Sequence, residues 1–138
     1  MDFTVFDKPG AKVKLSTISE KPPKKLTEAD ARQEFDKLGQ ELFDLQDLLW
    51  GARQHGVLVI LQGRDSAGKD GAIKHVVGNL NPRGVHVTSF GVPTHEELEH
   101  DFLWRIHQHA PRKGEFAIFN RSHYEDVLVV RVHDLVPK

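Results

Sequence analysis

Gly63-Arg64-Asp65-Ser66-Ala67-Gly68-Lys69, near the middle of the chain, fits the pattern G-x-x-x-x-G-K. Chemistry explains why those types belong together. Gly63 and Gly68 let the backbone turn its N–H groups inward, and a helix starting there adds its positive end. Lys69 supplies a mobile point charge for terminal phosphates. Gly63, Arg64, Ser66, Ala67, Gly68, Lys69 and Asp70 are therefore the candidate phosphate- and nucleotide-binding residues. Residue 70 departs from the usual pattern, because Asp stands where Ser or Thr normally meets magnesium. Asp65, inside the loop, is a hard oxygen ligand able to take over that role. A carboxylate among phosphates repels them unless a cation lies between, so Asp65 points to a metal-bridged phosphate.

A second string follows the third predicted strand: Asn120-Arg121-Ser122-His123-Tyr124-Glu125-Asp126. In phosphate-loop folds the strand beside the loop strand ends in an acid that holds the magnesium shell. Here Asn120 takes that place, and Glu125 and Asp126 follow. Arg121 carries a permanent charge on a planar fork that matches phosphate oxygens, which suits it to neutralise a migrating phosphoryl group. The alternative for Arg121 is a structural pair with a nearby carboxylate.

These residues need elements to position them. Thr27 and Asp30 open a helix in which Phe35, Leu38, Leu42, Leu45 and Leu49 stripe one face, a core or subunit contact. Gly51 and Gly56 end it. The β-branched block Val57–Leu61 reads as a strand buried on both faces of a parallel sheet. The loop comes next, then a helix over Ala72–Leu80 stopped by Gly78 and Asn81-Pro82. Val85–Phe90 is a second strand. Thr94 and Glu97 have capping-box spacing at the start of a helix carrying Leu98, Phe102 and Ile106 on one face, ended by Pro111 and Gly114. Phe116–Phe119 is a third strand and Tyr124–Val132 a helix. Strands alternating with helices predict an α/β fold, a P-loop NTPase-like parallel sheet flanked by helices. An extended arm at residues 1–26 and a long helix precede it. Residues 27–138 then read as a P-loop kinase-like domain.

The strings GRDSAGKDGAIKHVV, NPRGVHVTSFGVPT, DFLWRIHQHAP and FNRSHYEDVLVVRVH, spanning Gly63 to His133, resemble the polyphosphate kinase 2 family. The Asp in the loop, the Asp after the lysine and NRSHYED resemble its branch that uses both nucleoside mono- and diphosphates. The resemblance implies phosphoryl transfer between inorganic polyphosphate and AMP or ADP, with magnesium or else manganese. It implies catalytic roles for Asp65, Lys69, Arg121 and Glu125, metal contacts from Asp65 and Asp126, and a phosphate or nucleotide contact from Arg83, beside Asn81. Adenine nucleotides, or guanine ones, are the implied small-molecule partners, and a homo-oligomer is expected. Family members continue past this point with more strands and a lid helix, so the sheet of this chain is expected to be incomplete, open beside the loop strand.

Composition narrows the alternatives. Nineteen basic residues face twenty acidic ones, which gives no support for a nucleic-acid or membrane-surface binder. The 38% hydrophobic fraction allows a packed core. There are no cysteines, so disulfides, zinc thiolates and thiol nucleophiles are out, and a reducing cytoplasm suits the chain. No apolar run approaches the roughly 20 residues that span a bilayer, and Met1-Asp2-Phe3-Thr4 begins no signal peptide. Nine histidines form no metal motif: His95-Glu96 and His100 are one residue too far apart for the zinc helix pattern. Ser66 and Ser122 lack an activating partner set. His123 is assigned a place beside the site. Competing readings are an ATP-dependent nucleoside monophosphate kinase, a non-catalytic polyphosphate- or nucleotide-binding fragment, and an oligomerisation piece built on the leucine stripe.

Overall fold

The structure, a computed structural model, describes residues 26–125. The expected arm lies outside that range apart from Leu26, as do Asp126 and most of the expected Tyr124–Val132 helix. Two compact units divide after Glu34. In the first, Thr27 begins helix α1 (Glu28–Ala52) as the sequence predicts. Its hydroxyl accepts the Asp30 N–H at 3.1 Å and donates to the Asp30 carboxylate at 2.6 Å, which satisfies one of the free donors of the first turn.

The second unit carries the rest of α1 and the sheet. Strands β1 (Val57–Leu61), β2 (Val85–Ser89) and β3 (Phe116–Asn120) are parallel in the order β1-β3-β2. Helix α2 (Lys69–Val76) follows β1, and two single-turn helices, α3 (His95–Leu98) and α4 (Trp104–His107), lie between β2 and β3. The α/β parallel sheet flanked by helices is the architecture expected. Register aligns Leu61, Asn120 and Ser89 at one edge and Val57, Phe116 and Val85 at the other. Every loop that follows a strand therefore leaves from the same edge, where ligands bind in open α/β sheets.

The central strand is β3, and it is also the core. Phe119 is fully buried and packs edge-on against Phe90 with Ile106 and Ala117 around it. β1 was expected to be covered on both faces. Leu58 is instead 40% exposed, while the sheet is open beside β1 as expected, an edge strand among the described residues. A β-branched block signals a strand but not how fully other elements cover its two faces.

Three other expectations change. The apolar stripe of α1 is not a buried core face: Phe35, Leu38 and Leu45 are exposed and Gln46 is its buried residue. Gln46 is buried because its carboxamide replaces water completely, donating to the Asn81 carbonyl at 2.8 Å and accepting the Asn81 N–H at 2.7 Å. The helix after the loop starts three residues early, at Lys69, and its tail tightens into a 3-10 turn at Val77–Asn79. The expected single helix over Leu98–Ile106 is two. The Thr94–Glu97 capping box forms, but Asp101 then accepts the Leu103 N–H on its side chain and the Trp104 N–H on its carbonyl, which restarts the chain as α4. Only Ile106 of the three apolar residues is buried.

Candidate active site

The loop after β1 and the loop after β3 meet at the edge marked by Leu61 and Asn120. They enclose a cavity of about 260 Å³, lined by Asp65 to Gly71 with Asn120 and Arg121. Gly68 is the N-cap of α2 with φ +88, a left-handed backbone that costs glycine nothing. No side chain caps this helix, so the amides of its first turn are left for an outside acceptor. Gly63 differs from expectation: it has no left-handed φ, and an added Cβ would meet only the Ala67 Cβ at an ordinary 3.5 Å. Its neighbours Ser66 (φ 65) and Arg121 (φ 67) carry the strain instead. For residues with a Cβ that conformation costs on the order of 1–2 kcal/mol each.

Lys69 folds back over the loop and donates to the carbonyls of Gly63 and Arg64, both at 2.8 Å. These are neutral acceptors, so an arriving phosphate competes well for the ammonium. Ala67 donates its N–H to the Arg64 carbonyl at 3.1 Å, which removes that amide from the cradle. Gly63 and Arg64 thus serve the site through their carbonyls, outside the cavity lining.

Arg121 is the centre of charge. Its guanidinium pairs with Asp65 on one side and with Glu125, at 3.4 Å, on the other. The catalytic candidates Asp65, Lys69, Arg121 and Glu125 therefore come together from two loops. Asn120 donates to the Asp70 carboxylate at 2.8 Å. The strand end thus carries an amide in place of the usual acid, and that amide holds an acid at the start of α2. Asp70 also sits in the first turn of α2, where a negative charge complements the helix dipole.

Local charge is nearly balanced: Arg64, Lys69 and Arg121 face Asp65, Asp70 and Glu125. A polyanion gains little from side-chain charge alone. Its attraction must come from the amides and from a cation at the carboxylates. Among the described residues no three acids or histidines cluster as a self-sufficient metal cage. One or two carboxylates plus substrate phosphates are what magnesium ordinarily takes, and the exposed Asp65 in the cavity wall fits that demand.

Arg83 is not brought to this site. It lies in the Pro82–Gly84 turn before β2, at the opposite edge of the sheet, and outside the cavity lining. Its string carried no signal of strand direction, which is what separates it from the loop. Two residues went unassigned in the sequence: Gln62, which donates to Glu125 at 2.8 Å, and Asn120 as partner of Asp70. Position 62, directly after a strand and before the first loop glycine, was the available clue. His123 packs beside Tyr124 and Phe102. His100 stacks on Trp104 rather than pairing with His95. Among the described residues no helix is long and apolar enough to cross a membrane.

The model of the family described as polyphosphate kinase 2 matches residues 25–138. A curated relative from Meiothermus ruber, named AMP/ADP-polyphosphate phosphotransferase, is 61% identical over 101 residues, 73% of this chain and 38% of the relative. One from Rhodopseudomonas palustris, named ADP-polyphosphate phosphotransferase, is 52% identical over 94 residues, 68% of this chain and 32% of the relative. The crystal structure of polyphosphate kinase 2 from Arthrobacter aurescens superposes with a TM-score of 0.84 at 39% identity, covering 93% of this chain and 47% of that one. The chain thus spans about a third of the length of these two curated relatives.

Proposed function

The chain belongs to the polyphosphate kinase 2 family, and on that premise we propose that it is a polyphosphate-dependent nucleotide phosphotransferase acting on AMP and ADP. The observation that carries the reading is the meeting of Lys69, Asp65 and Arg121 with uncapped first-turn amides around one cavity. The names of the relatives supply the substrate class.

The amides of α2 hold donor phosphates, and Lys69 exchanges its two carbonyls for phosphate oxygens. Arg121 offsets the charge of the migrating phosphoryl group, whose transition state is loose and needs positioning more than covalent chemistry. Glu125 orients the acceptor phosphate. A nucleotide phosphate is already ionised at neutral pH, so no strong general base is required. Asp65 would hold magnesium or manganese, with Asp126 assigned to the same ion and lying outside the described residues. Such an ion supplies neutralisation of the oxygens on donor and acceptor. Self-association through the exposed stripe of α1 belongs to the same proposal, and mass in solution tests it.

Transfer from long-chain polyphosphate to AMP and to ADP, measured on this chain and on Lys69→Ala, tests the function. Lysine-dependent nucleoside di- or triphosphate formation supports it. Equal product with ATP as sole donor and none with polyphosphate would move the reading to a nucleoside monophosphate kinase. A second reading, a polyphosphate-binding module without turnover, uses the same cavity and uncapped amides. Lysine-dependent uptake of polyphosphate with no product would establish that one.

A further inference from the structure

Two loops build the site, and the neutral side chain of Gln62 helps to tie them together. Gln62 follows β1 directly. Its Nε2 donates to Glu125 Oε1 at 2.8 Å, and its Oε1 accepts the Ser122 hydroxyl at 3.4 Å. Ser122 is almost fully buried and its Oγ also accepts the Tyr124 N–H at 3.2 Å. Glu125 Oε1 receives Arg121 as well. The Arg121 N–H donates to the Leu61 carbonyl at 3.0 Å. The left-handed backbone at Arg121 is thus held by Leu61 and its side chain by Glu125, while Gln62 holds Glu125 and the next residue, Ser122.

We infer that Gln62 is a positioning residue for phosphoryl transfer, fixing Glu125 and through it the guanidinium of Arg121. The inference rests on the function proposed above. Chemistry selects an amide at this place. Gln can donate to a carboxylate and accept a hydroxyl at once, whereas Glu would set two like charges against each other and Met would do neither. A hydrogen bond to a charged acceptor is a strong one, and its loss leaves Glu125 free to turn and Arg121 free to follow Asp65 alone.

A double-mutant cycle on the whole chain tests it, with Gln62→Met, Glu125→Gln and the pair, assayed with polyphosphate and ADP. Gln62→Met is expected to lower kcat by about tenfold with less than about a threefold change in KM for ADP. In the Glu125→Gln background the same change is expected to cost less than about twofold, because the effect runs through residue 125. Equal losses in both backgrounds, or no loss in the first, overturn the inference. If the unaltered chain forms no product, the proposed function falls, and substrate-free NMR decides the positioning role separately. The Arg121 side-chain Nε–H resonance must move in Gln62→Met and stay in Arg83→Ala, a control at the opposite edge of the sheet. An unmoved Arg121 signal overturns the inference.

Discussion

The two edges of the sheet are built on opposite terms. At the edge holding Val57, Phe116 and Val85, the buried polar contact is neutral and matched. Gln46 meets both backbone groups of Asn81, and Gly84 lies so close to Trp50 that an added Cβ would come within 2.9 Å of the ring. At the edge holding Leu61, Asn120 and Ser89, the groups are charged, paired across loops and strained at Ser66 and Arg121. The first edge can be satisfied by the chain itself. The second keeps its amides and its lysine available for something else, which separates stability from binding along a single strand direction.

That separation can be broken most sharply at Lys69. Lys69→Ala should weaken lysine-dependent phosphoryl transfer by a hundredfold or more, by analogy with losing one preorganised charge donor, at roughly 2.7–4 kcal/mol. Urea denaturation should show stability within about 1 kcal/mol of the parent, because Lys69 is half-buried outside the core and its two carbonyl acceptors can turn to water. The opposite edge should respond in the reverse sense. Gln46→Leu leaves the Asn81 N–H without its partner and the Asn81 carbonyl with the Gly84 N–H at 3.3 Å, and should cost about 2 kcal/mol in urea denaturation. Calorimetric titration with magnesium tripolyphosphate should give an affinity within about twofold of the parent in that variant, provided it is folded. A large change there would show that the two edges are not independent.

Gly68→Ala should fall between them, because the residue is both backbone hinge and cradle. Its left-handed φ predicts a cost of about 1–2 kcal/mol on denaturation together with weaker tripolyphosphate binding. Arg83→Ala should have the smallest effect, less than about twofold on tripolyphosphate affinity, since Arg83 sits at the edge away from the loop. A tenfold loss would instead return Arg83 to the site.

Much of this site was legible because it depends on local geometry. G-x-x-x-x-G-K between a strand and a helix locates the cradle without any long-range contact, and the Thr94–Glu97 box likewise needs only four residues. Less was legible where the answer depends on neighbours far along the chain. The stripe on α1 marked a helix correctly but not which of its residues would be buried. Gln46 was hidden from any hydrophobic pattern because its burial rests on a backbone partner 35 positions away.

The chain's residue types and spacings by themselves determined the phosphate loop, the alternation of strands and helices and the set of charged groups available. Only the tertiary structure decided that β3 lies between β1 and β2, that Arg121 stands between Asp65 and Glu125, and that Arg83 stands apart. The reason is physical. Propensity and periodicity act over a few residues, whereas strand order and cross-loop pairing are fixed by which distant surfaces exclude water together.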